Sequence, residues 1–307
     1  MRRVRYEVNG GPEVLFLEDV AAPVAGPGEL LVRVEAIGVS LPAVKRVREA
    51  AEPLPLGGEV AGTVEAVGEG VTGFTAGDRV TGICFTHGYA ELAVLHTSMA
   101  SVVPDGATAV DAVALVRGGL VARGTWEAAR PVAGESVLVT GAASGVGQLA
   151  VQLARLNGAS RVVATAGSAA KAEFLFGLGA DEVVTYEDSP WGEPVDIVLD
   201  AVGGALLTPA VAALAPGGRL VAYSSGGGTV AAYDLLVGAK SVIGFQMAHL
   251  VRTRPDAYAA WRDELWRLHA EGRLRAAVHA ALPLESAAEA HALIEARANQ
   301  GKVVLIP

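Results

Sequence analysis

The spacing of apolar residues changes part-way along the chain. Over roughly the first hundred residues it follows a two-residue alternation between turn signals, as in Leu30-Leu31-Val32-Arg33-Val34-Glu35-Ala36 after Ala25-Gly26-Pro27-Gly28, the pattern of half-buried strands. Gly62-Thr63-Val64-Glu65-Ala66-Val67-Gly68 and Gly77-Asp78-Arg79-Val80 predict two more strands joined by a glycine-rich turn. This start reads as all-β. After Pro104-Asp105-Gly106-Ala107 the pattern changes: Val110 to Ala129 suits helices, and from Glu135 onward apolar strands alternate with helical stretches. The expected strands are Ser136–Thr140, Arg161–Ala166, Val183–Tyr186, Asp196–Asp200, Arg219–Ser224 and Ser241–Phe245. Their near-continuous apolar character predicts burial on both faces, hence a doubly wound parallel sheet. Pro255 to Ala270, with Trp261, Leu265 and Leu268, predicts a helix, followed by a strand near Leu282 and an apolar segment, Lys302 to Pro307, that rejoins the first domain. Residues 1–115 and 250–307 are therefore expected to form one domain and 116–249 the other.

Composition narrows the function. A chain of 307 residues is long enough for two domains with large cores. Lysine and arginine total 24 against 33 acids, a formal charge of −9, which argues against a nucleic-acid partner. With 51% hydrophobic and 19% charged residues, disorder is excluded and a membrane protein must be considered. The uncharged stretch between Glu135 and Arg155 is broken by Gly141, Gly145, Gly147, Gln148 and Gln152 and reads as strand, turn and helix rather than a span. A soluble protein without a membrane partner is expected. Cys84 is the one cysteine, so neither an intrachain disulfide nor a multi-thiolate zinc site can form. The stretch Met1 to Asn9 lacks the apolar core of a signal peptide, which makes the cytoplasm the expected compartment.

Val137-Leu138-Val139-Thr140 runs directly into Gly141-Ala142-Ala143-Ser144-Gly145-Val146-Gly147, after which Leu149, Leu153 and Leu156 mark one helical face. Strand, glycine turn and helix in that order suit a dinucleotide: glycines let backbone approach a pyrophosphate, and N–H groups at the helix start hold the anion. An ordinary turn in a glycine-rich chain is the competing reading. An NAD site would carry an acid about 20 residues further on. Here the strand ending at Ala166 leads into Gly167-Ser168 and Lys171, with no carboxylate until Glu173, so NADPH is favoured over NADH. Lys171 reads equally as a solvated helix lysine.

The chain resembles the zinc-independent quinone oxidoreductases (zeta-crystallin-like) of the medium-chain dehydrogenase/reductase superfamily over nearly its whole length. The resemblance rests on Gly58-Glu59-Val60-Ala61-Gly62-Thr63-Val64, on Val67-Gly68 through Phe74 to Gly77-Asp78-Arg79-Val80, on Gly88-Tyr89-Ala90-Glu91, on the Ala-x-x-Gly-Val-Gly turn and on Gly301-Lys302-Val303-Val304-Leu305. It implies an α/β fold, a GroES-like β-rich catalytic domain interrupted by a doubly wound Rossmann domain, with the nicotinamide between them. It further implies that Gly167, Lys171 and Tyr186 surround a 2′-phosphate, with Ser168 beside them, and that Ser144, Gly145 and Val146 lie on the pyrophosphate turn. Tyr223 and Ser224 would stand at the end of the fifth strand, Phe245 and Met247 beside the nicotinamide, and Arg297 against the cofactor. A surface helix arginine is the alternative for Arg297. A homodimer paired through Ser241-Val242-Ile243-Gly244-Phe245 is also implied.

Where zinc-dependent relatives carry a Cys and a His-Glu pair, this chain has Ser40 and Gly57-Gly58-Glu59, so no catalytic metal ligands are expected. Its six histidines show no paired ligand spacing and read as surface or capping residues. The family's substrate-pocket asparagine and tyrosines are missing from Ser40-Leu41-Pro42-Ala43-Val44-Lys45, and its Gly-Leu-Thr-Ala segment reads Gly119-Leu120-Val121-Ala122, at a loss of about 1 kcal/mol for one hydrogen bond. Ser40 is left as the candidate catalytic residue, available to donate to the carboxamide or substrate oxygen; Lys45 would steady an enolate if it points inward. NADPH-dependent reduction of a quinone or an α,β-unsaturated carbonyl compound is the leading reading. A non-redox cyclising or tailoring enzyme on the same fold, and an NADPH-sensing or scaffolding protein without catalysis, stay open beside it.

Overall fold

A computed structural model describes residues 1–188, 190–223 and 226–307. The chain divides into two compact units, Met1–Arg117 with Ala277–Pro307, and Gly118–Ala276.

The second unit is built on a six-stranded sheet. Its strands run in the order Glu182–Thr185, Arg161–Ala166, Ser136–Val139, Val195–Asp200, Leu214–Ala222, Ser241–Gly244, and every neighbouring pair is parallel. The reversal of order about Ser136–Val139 is that of a doubly wound dinucleotide fold. Val137, Leu138, Val139, Val162, Val163, Ile197, Val198, Leu199, Leu220 and Val221 are wholly buried, which is why these strands read as apolar runs rather than as alternation. Leu214–Ala222 begins five residues earlier than the expected Arg219, because Leu214 already pairs with Val195, although the register then shifts and resumes only at Arg219 opposite Ile197.

The first unit holds a seven-stranded sheet. Its order is Val278–Pro283, Lys302–Ile306, Glu29–Val39, Gly58–Val67, Arg79–Cys84, Ser101–Val102, with Leu92–His96 also paired to Glu29–Val39. Leu30, Val32, Ile37, Val60, Val80, Leu95, Val303 and Leu305 form its core. The all-β expectation for this region needs one correction: Leu41–Glu49 is an α-helix, with Pro42 in its first turn and Ala43, Val44 and Val47 buried. Proline is tolerated there because the first helical N–H groups have no intrahelical acceptor.

The second domain boundary also differs from the expected 249/250. Helix Pro255–Ala270 falls in the second unit. Leu265 lies against Gly119, where an added Cβ would come within 2.8 Å of its methyls. Glu264 accepts from Arg123 Nε at 3.0 Å, and the Arg123 guanidinium stands 5.4 Å from the Trp261 ring. Beyond it, the Gln152 amide pairs with both backbone groups of Arg275, at 2.8 and 2.9 Å. The chain re-enters the first unit at Ala277, whose carbonyl accepts from Lys302 N–H at 2.9 Å.

Candidate functional site

The turn after Ser136–Val139 is held from three sides. Gly141 has φ +60°, a conformation open to glycine without strain. Its N–H donates to the Tyr186 hydroxyl at 2.9 Å, and the Tyr186 ring lies about van der Waals distance from where a Cβ on Gly167 would stand, 3.9 Å. So Gly141, Gly167 and Tyr186 do come together, with the Tyr186 hydroxyl bracing the turn. Ser144 Oγ accepts from Gly147 N–H at 3.0 Å, satisfying the first N–H of the helix Gly147–Leu156 from the preceding turn. At Gly147 an added Cβ would sit 2.7 Å from Ala142 Cα, so the helix enters closer to the turn than any side chain allows. Ser144, Gly145 and Val146 are half-buried on this turn, at a helix start whose first N–H groups suit an anion.

Two residues that the sequence reading left out fix the neighbouring strand end. Thr140 Oγ1 donates to Asp200 Oδ1 at 2.7 Å and accepts from Ala201 N–H at 2.9 Å; Asp200 Oδ2 accepts from Gly203 N–H at 3.0 Å. Both side chains are buried, and together they set the two loops that flank the turn. Tyr223 directly follows the fifth strand, Leu214–Ala222, with its hydroxyl buried and without a hydrogen-bond partner among the described residues. Burial, with Asp200 and Tyr186 adding to it, pushes that hydroxyl's ionisation up, so it stands as a neutral donor. A buried unsatisfied donor is costly in a finished core and useful beside a ligand. Ser224, expected beside it, lies outside the described residues.

Ser168 is exposed and its Oγ accepts from Ala170 N–H at 3.2 Å, capping the 3-10 turn that carries Lys171. Lys171 is half-buried, and burial draws its ammonium below the usual lysine range. Phe245 stacks its ring against Gly124 in the helix Ala109–Ala128, where a Cβ would come within 2.8 Å of a ring carbon. Met247 opens the helix Met247–Thr253, and Val121 is half-buried in Ala109–Ala128.

Ser40 and Arg297 belong to the first unit. Ser40 is half-buried with extended backbone, φ −138° and ψ 151°, at the N-cap of Leu41–Glu49, yet its side chain does not close the cap. Lys45 is half-buried on that helix. Arg297 is exposed, with φ +52° in the left-handed region after the helix Ala287–Glu295.

Metal chemistry finds no donor set here. Among the described residues no group of three or more His, Cys, Asp or Glu is placed to hold an ion. Cys84 donates its thiol to Val94 O at 3.2 Å, and burial pushes its ionisation up to about 12. Both oxygens of Glu59 are taken by cations, Lys302 and Arg117. His96 caps a 3-10 turn, accepting from Ser98 N–H, whereas His291, expected at the surface, is buried with Nε2 3.3 Å from the Tyr89 hydroxyl. Among the described residues no helix is long and apolar enough to cross a membrane.

Known proteins resemble this chain throughout. A family model described as the alcohol dehydrogenase GroES-like domain matches residues 26–128, and one described as zinc-binding dehydrogenase matches residues 178–305. A quinone oxidoreductase of Pseudomonas aeruginosa is 34% identical over 334 residues, covering 100% of this chain and 99% of its own. Among solved structures, a mycobacterial protein complexed with NADPH gives a TM-score of 0.93 at 33% identity. Escherichia coli quinone oxidoreductase complexed with NADPH gives 0.91 at 29%. Each covers 100% of this chain and 100% of its own.

Proposed function

Since this chain belongs to the quinone oxidoreductase family of medium-chain dehydrogenases/reductases, we propose that it is an NADPH-dependent reductase that passes a hydride to a quinone or an α,β-unsaturated carbonyl compound without zinc. The observation that carries this reading is the turn Gly141–Gly147, closed too tightly for any side chain at Gly147 and braced by Tyr186. A pyrophosphate would lie on Ser144, Gly145 and Val146. The 2′-phosphate would meet Lys171 near Gly167, and the buried Tyr223 hydroxyl, without a partner among the described residues, is a donor suited to a bound nucleotide.

Bound NADPH supplies a hydride from C4 of its nicotinamide. The protein's part is to hold an electrophilic carbon about 3–3.5 Å away and to stabilise the oxygen on which charge develops. Ser40, uncommitted to its own helix cap, donates a hydrogen bond to that oxygen, and the proton that completes the product comes from water. Leu41, next to Ser40 in sequence, is exposed, as are Leu54 and Phe85, side chains that suit an apolar substrate. Their loops are drawn together by Arg46, whose Nη1 donates to Pro55 O at 3.2 Å and to Phe85 O at 3.4 Å. Among the described residues no group of three or more His, Cys, Asp or Glu is placed to hold an ion, which supports a scheme without zinc.

We also propose a homodimer. The strand Ser241–Gly244 is a sheet edge, and beside it Tyr233, Leu236 and Val237 are 71, 74 and 70% exposed, an apolar surface suited to a second copy.

Stopped-flow mixing of the NADPH complex with a panel of neutral quinones and enones tests the reaction. Loss of reduced-nicotinamide absorbance in single turnovers is the expected result; tight binding of NADPH with no oxidation by any member would overturn the redox assignment.

A further inference from the structure

Three charged side chains of the first unit, Glu59, Lys302 and Arg117, are gathered where hydride transfer as described has no use for them. Glu59 is 5% exposed; one carboxylate oxygen accepts from Lys302 Nζ and the other from Arg117 Nη1 at 2.8 Å. Lys302 is 9% exposed and Arg117 34%. Burial opposes the charge on Glu59, but the two cations outweigh it and hold the carboxyl below its usual range. Tyr89, also near Glu59, is buried and its ionisation is pushed up, so it adds no charge. Two cations against one carboxylate leave a surplus of 2 − 1 = +1. Burial draws the Lys302 ammonium below its usual range while Glu59 opposes this, so the surplus sits at Arg117, the least buried of the three, where a monoanion can meet it.

The cluster also has a place relative to Ser40. Gly38 pairs with Glu59 and with Val304, and Val39 with Val303. A Cβ at position 38 would stand 2.6 Å from Glu59 Oε2 and 2.7 Å from Lys302 Cε, so the ends of both side chains lie over Gly38. Ser40 continues the strand in extended conformation, so its side chain leaves the sheet on the same face as position 38, about 7 Å along. One further step of the register sets Lys302 opposite Ser40. Arg117 is the cluster member that reaches solvent, and only one nitrogen of its guanidinium is committed to Glu59 among the described residues. Its remaining edge is a planar fork that matches a carboxylate.

We propose that Arg117, steadied by Glu59 and Lys302, is an anion-recognition residue, and that the natural substrate bears a carboxylate or comparable monoanion about one strand pleat from the oxygen that Ser40 meets. This rests on the assignment of Ser40 to the substrate oxygen. Calorimetry with naphthalene-2-carboxylate and with 2-naphthamide, its neutral counterpart of similar shape, reads the site without turnover. The wild-type protein is expected to bind the carboxylate at least tenfold more tightly. In Arg117→Gln, which leaves Glu59 and Lys302 in charge balance and so preserves the fold, the two affinities come within twofold of each other. Arg117→Lys gives an intermediate ratio, having kept the charge and lost the fork. Acetate separates a free small anion from a substituent on an apolar body: it should bind at least tenfold more weakly than the naphthalene carboxylate. Equal affinities in the wild type, an unchanged ratio in Arg117→Gln, no binding of either naphthalene compound, or acetate as the tighter ligand would each overturn the proposal. The same two variants in stopped-flow separate this failure from that of the hydride reading. Neutral quinones reduced with no preference for a quinone carboxylate would sink the anion site alone, and discrimination between the naphthalene ligands with no quinone reduced would sink the redox reading alone.

Discussion

A histidine enclosed by hydrocarbon stays neutral where an exposed one takes a proton. His291 is 1% exposed, and burial pulls its pKa down to about 4, with Glu295 opposing only in part. The unfolded chain protonates the same ring near its ordinary value of 6.5. The stabilisation is therefore complete above about pH 6.5 and is lost as pH falls toward 4, by up to about 3 kcal/mol. In urea titrations at pH 7 and pH 4.5, His291→Gln should show a smaller difference between the two than the wild type, by about 1–3 kcal/mol; parallel shifts in both proteins would show that another group carries the acid sensitivity. Lys171 answers a different question. If its ammonium pairs with a 2′-phosphate, Lys171→Ala should weaken NADPH on the order of tenfold or more and NADH hardly at all. Fluorescence titration with both nucleotides measures this, and an equal loss for the two would remove Lys171 from the site.

Among the elements, the helix Gly147–Leu156 depends on its first turn. Ser144→Ala removes the oxygen that caps Gly147 N–H and should cost about 1 kcal/mol in stability, seen as a lower denaturation midpoint at unchanged slope, together with weaker nucleotide binding; a variant as stable as the wild type would mean that the cap contributes nothing. The strand that feeds this turn was plain in the sequence because Val137, Leu138 and Val139 are buried on both faces, and so was the helix Pro255–Ala270. The helix Leu41–Glu49 was not. It spans nine residues, too few turns for periodicity to outweigh a strand-rich context, although Ser40 followed by Pro42 in a first turn was a start signal. The strand Leu214–Ala222 was half legible: Arg219–Ala222 pairs in register with Ile197–Asp200, while the register jumps over Ala215–Gly218, where Gly217 takes φ +79°.

For the molecule as a whole, what escaped the sequence is what distant segments share. Arg117 and Glu59 are 58 positions apart, Lys302 and Glu59 243; no local pattern links them, so a buried triad looked like three separate residues. The misplaced boundary at 249/250 has the same origin, since the helix Pro255–Ala270 is claimed by Gly119 and Arg123, far earlier in the chain. The glycine turn after Ser136–Val139 was legible because its strand, glycines and helix are contiguous. Assembly is testable at this scale: a Leu236→Glu, Val237→Glu double variant places two carboxylates on the exposed apolar face and should shift light-scattering mass from two copies to one at micromolar concentration. A wild type that is already monomeric would remove the dimer.

The sheet of the first unit has its Lys302–Ile306 strand seated between Glu29–Val39 and Val278–Pro283. On the ribosome, Glu29–Val39 therefore emerges long before the neighbour that will cover its edge. Meanwhile Glu59 waits without its lysine, and the 159 residues of Gly118–Ala276, continuous in sequence, are free to fold ahead of it. Synthesis thus exposes an unfinished sheet edge until Lys302–Ile306 has been made, a window in which a nascent-chain chaperone has something to protect.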